Sequence, residues 1–122
     1  MDFRFPKEQK IYLKHDIDAL FESRKAVYKS PVKAIYIEGN GKGYPRALFS
    51  VPKKLFKRAV HRNLLKRRMR EAFRLSIGQY PELQDIDFGF LYISNEITDY
   101  GTILAKIQKI LEQVTQNSKE NL

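Results

Sequence analysis

Residues 58–77 read RAVHRNLLKRRMREAFRLSI, and the rest of the chain is understood from this stretch outward. Turned at about 100° per residue, it places Asn63, Lys66, Arg67, Arg70 and Arg74 within an arc of about 100°, while Leu65, Met69, Ala72 and Phe73 fall on another. The spacing predicts an amphipathic helix over residues 58–77, stopped by Gly78 with Pro81 beyond it. One side suits a core, and the other carries cations at helical spacing. Like charges so placed repel by roughly a few tenths of a kcal/mol per pair, so the row destabilises the isolated fold and a polyanion would relieve it. Arginine dominates the row, and its planar fork matches phosphate oxygens two at a time where lysine offers a point charge.

The 122-residue chain has a net charge of +9. Residues 53–74 hold ten basic side chains and one acid, Glu71, and so carry all of that excess; the remainder has thirteen of each sign. A neutral scaffold displaying one basic element implies a polyanionic partner. With 43% hydrophobic and 30% charged residues, the chain is expected to fold as one domain over residues 1–122, with 118–122 frayed. The absence of cysteine excludes disulfides and thiolate chemistry and suits the cytoplasm. No apolar run approaches the roughly 20 residues that span a bilayer, and residues 1–10 lack the apolar centre of a signal peptide, so no membrane partner is expected.

On either side of the basic helix the patterns alternate between elements. Residues 7–24 read as a short helix on Ile11, Ile17, Leu20 and Phe21. Residues 26–29 suggest a short strand, and residues 32–38, rich in β-branched and aromatic side chains, a longer one. Residues 39–43 (GNGKG) form a turn, after which residues 46–51 resume the strand pattern, so these two strands are expected to pair as a hairpin. Residues 87–93 (DFGFLYI) suit a strand buried on both faces, and residues 100–116 an amphipathic helix with Ile103, Ile107, Ile110, Leu111 and Val114 inward. The order α-β-β-β-α-β-α makes the class α+β, with a single sheet of about four strands packed with three helices.

The motifs exclude several chemistries. The glycines of residues 39–43 are followed by a strand where a phosphate-binding fingerprint needs a helix. His15 and His61 fall in no zinc or nucleophile pattern, and Asp16/Asp18 and Asp85/Asp87 have an i, i+2 spacing that serves capping or solvation better than metal binding. No catalytic residue and no protein metal site is expected. A DNA-reading helix-turn-helix would need a short helix before residues 58–77, where a strand is predicted instead, so no DNA partner is expected.

The residues then become specific. Ser50-Val51-Pro52-Lys53-Lys54, followed by Ala59-Val60-His61-Arg62-Asn63-Leu64-Leu65-Lys66-Arg67-Arg68-Met69-Arg70-Glu71-Ala72-Phe73-Arg74, resembles the signature of bacterial ribonuclease P proteins, with its Arg-Asn-Arg motif and the Lys-Arg and Arg-Glu that follow. The resemblance spans nearly the whole chain. Two departures stand out: Leu64 occupies the third motif position, with Arg67 and Arg68 nearby as substitute charges, and residues 55–58 lack the usual glycine and run about one residue longer. The resemblance implies a ribosomal protein S5 domain 2-like fold with a left-handed βαβ crossover. It implies a ribonucleoprotein enzyme in which a catalytic RNA, with Mg²⁺ bound mainly by that RNA, removes the 5′ leader of precursor tRNA by endonucleolytic hydrolysis.

By the same resemblance, Lys53, Lys54, Arg62, Asn63, Lys66, Arg67, Arg68, Arg70 and Arg74 would face the catalytic RNA. The family also holds the single-stranded leader in a cleft between its first helix and the sheet. Stacking aromatics beside cations suit that task, at roughly 1–3 kcal/mol per base. Ile17, Phe21, Tyr36 and Phe49 are the candidates, each also able to serve as core, with Tyr12, Tyr28 and Tyr92 ranked behind them. The alternative is a non-enzymatic RNA-binding protein of ribosomal or chaperone type.

Overall fold

A computed structural model describes residues 10, 11 and 13–120, the side chain of Glu120 excepted. Helix α1 (Lys14–Glu22) leads into strands β1 (Ala26–Lys29), β2 (Val32–Glu38) and β3 (Arg46–Ser50); helix α2 (Ala59–Ser76), strand β4 (Ile86–Tyr92) and helix α3 (Tyr100–Glu120) follow. Two short 3₁₀ turns, Ile77–Gln79 and Pro81–Leu83, bridge α2 to β4. The α+β class, the four strands and the three helices are as the sequence patterns predict.

The strand order is β1-β2-β4-β3, with β1-β2 and β2-β4 antiparallel and β4-β3 parallel. This corrects the expected hairpin: β2 and β3 do not pair, because β4 lies between them. Its residues are the most apolar in the sheet and nearly all buried, and only a central position covers both faces of such a strand. Residues 39–43 must therefore arch across the end of β4, and Gly39, Gly41 and Gly43 all adopt positive φ to do so. Asn40 fastens the arch: its backbone N–H donates to the Asp85 carbonyl at 2.8 Å and its side-chain amide to Asp87 Oδ1 at 2.9 Å. The hairpin that does form joins β1 to β2.

Alternation along the strands divides the sheet into two faces. Val32, Ala34 and Tyr36 of β2, Ala47 of β3, and Phe88, Phe90 and Tyr92 of β4 turn toward α2 and α3, and with Leu65, Met69, Phe73, Ile103, Ile107, Ile110 and Leu111 make the main core. Phe73 sits at its centre, its ring within 5.2–6.1 Å (centroid to centroid) of those of Phe49, Phe88 and Phe90. The opposite face carries a small second cluster of Ile11, Leu20 and Ile35 under α1.

Both terminal segments depart from expectation. Residues 10 and 11 are not helical: Lys10 bridges to Ala47, and the Ile11 N–H donates to the Ala47 carbonyl at 3.2 Å, so the chain runs extended along β3 before α1 begins. The expected start at residue 7 lies outside the described residues. At the other end α3 continues to Glu120, four residues beyond the expected helix end at residue 116. Asn117 donates to the Tyr36 hydroxyl at 3.3 Å and Ser118 to Glu38 at 3.4 Å, contacts that anchor the last turns against β2.

Candidate nucleic-acid interface

Helix α2 buries Leu65, Met69, Ala72, Phe73 and Ser76. That inward set directs Asn63, Lys66, Arg67, Arg70 and Arg74 to one flank, as the helical spacing predicts. The flank has a definite place in the fold. The Arg70 guanidinium lies 5.9 Å from the centroid of the Phe49 ring on β3, so the cationic row runs beside the β3 edge of the sheet. On the opposite flank, Arg68 Nη1 donates to the Thr98 carbonyl at 2.6 Å, tying α2 to the segment that enters α3.

The candidate RNA-contacting residues thus separate by what they touch. Lys53, Lys54, Asn63 and Arg67 are exposed, and Lys66 and Arg70 are half-buried. Arg62 Nη1 donates to the carbonyls of Phe56 and Lys57, both at 2.8 Å, and thereby closes the loop that carries Lys53, Lys54 and Lys57 into the helix. Arg74 forks onto Glu71, with Nη2 to Oε1 at 2.5 Å, and these hydrogen bonds raise its pKa. Arg68 donates to Thr98 on the flank away from the row, whereas Arg67 stands exposed within it. The sequence counted nine candidates alike; the fold gives three of the arginines structural partners.

The other face corrects the cleft residues. Helix α1 reaches Ile35 and Gly89 through Leu20 and Arg46 through Asp16, leaving the end of that face that bears exposed Tyr28 and half-buried Lys33, Leu91 and Ser50 partly uncovered. Tyr36 is 3% exposed and faces α3, on the side of the sheet away from α1. Phe49 faces the same way, stacked on Phe90 at 5.5 Å and beneath Arg70. Neither belongs to a cleft under α1, because even-numbered positions of β2 and odd-numbered positions of β3 point into the main core. Ile17 packs on the second cluster, and Phe21, 52% exposed, stands five residues and so about 140° round α1 from Asp16, the side chain that faces Arg46.

The sheet supplies other groups there. Tyr28 is 62% exposed, with Lys33 Nζ 4.9 Å from its ring centroid, and half-buried Leu91 and exposed Ile93 share that face. An aromatic ring, a cation and apolar floor residues are brought together that the sequence lists far apart. Pairing register is what would have found them, since Tyr28 stands opposite Lys33, and Lys33 opposite Leu91.

Among the described residues no group of three metal-ligating side chains converges, and no helix is long and apolar enough to cross a membrane. Asp85 and Asp87 serve the arch and the sheet: Asp85 accepts from the Gly43 N–H at 3.3 Å, and Asp87 holds Arg46 at 2.6 Å.

Comparison with known proteins agrees with this architecture. The family model described as Ribonuclease P matches residues 5–115. A ribonuclease P protein component from Porphyromonas gingivalis is 33% identical, over 94% of this chain and 89% of its own length. One from Legionella pneumophila is 38% identical over 59% of this chain and 62% of its own. Among solved structures, the RNase P protein from Thermotoga maritima superposes with a TM-score of 0.73 at 25% identity, covering 85% of this chain and 96% of that one. The Staphylococcus aureus RNase P protein shares the fold at a TM-score of 0.74 and 20% identity, covering 87% and 94%. With the match running through the arginine row, the sheet and the last helix, this chain belongs to the ribonuclease P protein family.

Proposed function

We propose that the chain, as a ribonuclease P protein, works in the cytoplasm by docking the exposed part of its α2 row on the catalytic RNA and receiving the 5′ leader of precursor tRNA in the open end of the α1 cleft. The observation that carries this reading is the single flank shared by Lys66, Arg67 and Arg70 at the β3 edge, with Lys53 and Lys54 at its approach. Phosphate contacts from that flank orient the protein without reading sequence. They also screen repulsion between two RNAs, which favours substrate binding and Mg²⁺ held by the catalytic RNA. Phe21, Tyr28 and Lys33 offer stacking surface and charge to an unpaired strand. Hydrolysis itself is assigned to the RNA and its Mg²⁺.

Reconstitution with a bacterial ribonuclease P RNA at low Mg²⁺ tests the whole. The expected result is stimulated cleavage of precursor tRNA at the mature 5′ end. RNA binding without stimulation would instead favour a non-enzymatic RNA-binding protein.

A further inference from the structure

Helix α1 cannot hold its own position. Nine residues with no side-chain N-cap fall short of the roughly 12–15 at which an isolated helix becomes even marginally stable in water. One fully buried side chain, Leu20, seats the C-terminal half of the helix over Gly89 and Ile35. Half-buried Ile17 packs on the same cluster and the Ser23 hydroxyl, at the helix C-cap, donates to the Tyr36 carbonyl at 2.6 Å, so the C-terminal half is held while the first turn, which buries no side chain, needs a further point to set the helix angle.

Arg46 provides that point. It begins β3 on the α1 face and is 8% exposed; its Nε and Nη2 donate to the two oxygens of Asp87, at 2.9 and 2.6 Å. Asn40 donates to the same Asp87 Oδ1, so the carboxylate is held from both the arch and β3. Two bonds in one plane fix the guanidinium, and its remaining nitrogen, Nη1, reaches Asp16 Oδ2 on α1 at 3.4 Å. The other oxygen of Asp16 lies 3.3 Å from His15 Nε2, which belongs to the same helix and cannot tie it to the sheet. Buried ion pairs in general often add little net stability, and this one also joins the arch, β3 and α1 at a single carboxylate and guanidinium. Asp16 and Phe21 project from opposite flanks of α1. A turn of the helix that frees Asp16 therefore moves Phe21 relative to Tyr28 and Lys33.

We infer that Arg46 is a positioning residue for the leader: acting through Asp16, it sets the angle of α1 and so the opening between Phe21 and the uncovered end of the sheet. The inference rests on the leader-binding reading of that cleft. Its benefit is pre-organisation, since a cleft already at its bound width spends less binding free energy on ordering.

The test uses Asp16→Ala and Asp16→Glu and leaves the buried pair intact. In the free protein, Asp16→Ala should speed amide hydrogen exchange across residues 17–22. In the reconstituted holoenzyme it should weaken binding of leader-bearing precursor roughly two- to fivefold, the size expected for a partly exposed ion pair. Affinity for leaderless tRNA and for the catalytic RNA should not change, and Asp16→Glu should restore leader affinity. Unchanged exchange, or equal losses for both tRNAs, overturns the inference. Phe21→Ala separates the two readings. If it selectively weakens leader binding while Asp16→Ala does not, the cleft stands and the role of Arg46 is refuted. If Phe21→Ala has no effect on leader binding, the cleft is not the leader site and the inference falls with it.

Discussion

The two helices laid on opposite faces of the sheet are held in opposite ways. Helix α2 sinks five residues into an aromatic core and would keep its place whatever its outer flank carried. Helix α1 buries one leucine fully, over a glycine, and is otherwise held by half-buried Ile17, the Ser23 hydrogen bond to Tyr36 and an ion pair. The first arrangement suits a row of mutually repelling cations, which needs a rigid support paid in apolar burial. The second suits a cleft, which must leave part of its sheet uncovered. The difference is that the basic helix is anchored from behind by its core, whereas the wall of the proposed cleft is held largely at its edges.

The largest effect should come from the core behind α2. Phe73→Ala should cost about 3–5 kcal/mol of unfolding free energy, measured by denaturant titration, and Leu20→Ala under α1 less, toward the low end of the about 2–5 kcal/mol that such truncations cost. Equal losses would break the contrast. Next is Gly89→Ala. A Cβ there would lie 2.9 Å from both Ile35 Cγ1 and Leu20 Cδ2, so the side chains that seat α1 must shift, at about 1–3 kcal/mol. Amide exchange should rise in α1 and stay unchanged in α2.

Smaller in stability but decisive for RNA are Arg67→Ala and Arg70→Ala. Each should leave the melting temperature nearly unchanged while weakening assembly with the catalytic RNA and reducing the salt dependence of binding by about one phosphate contact. Arg68→Ala, by contrast, should affect stability more than RNA affinity, since Arg68 is spent on Thr98. The reverse pattern would return Arg68 to the interface.

The smallest effect concerns acid. Asp99 caps α3, accepting from the Thr102 hydroxyl at 2.8 Å and the Thr102 N–H at 3.0 Å, and those hydrogen bonds hold its carboxyl below the usual range. A carboxyl so depressed stabilises the fold above its unfolded pKa, and the contribution is lost as pH falls from about 4 through the depressed value. Asp99→Asn should lower the melting temperature slightly at neutral pH and flatten its fall in acid. An unchanged acid limb would show that the cap carries no pH dependence.

Much of this was legible along the chain because it depends on near neighbours. The inward set of α2, its cationic flank and the apolar run of β4 are periodic or compositional, and turning a short segment on its axis suffices to see them. The pairing of β2 is not legible locally, because Gly39, Asn40 and Gly41 look like a hairpin turn while the strand that competes for that edge lies some fifty residues on. The side taken by Tyr36 and Phe49 is hidden for a related reason: residues 34–37 are all apolar and Phe49 follows Leu48, so alternation says that neighbours oppose one another without saying which way either points.

By itself, then, the sequence determined a neutral α+β body with one helix whose charge demands a polyanion, because local periodicity and net charge need no knowledge of distant contacts. Only the tertiary structure decided the strand order, the face each aromatic occupies, and which arginines remain available to RNA. Those depend on partners far apart in the chain, such as the Phe56 and Thr98 carbonyls and the Asp16 and Asp87 carboxylates, which folding alone brings within hydrogen-bonding distance.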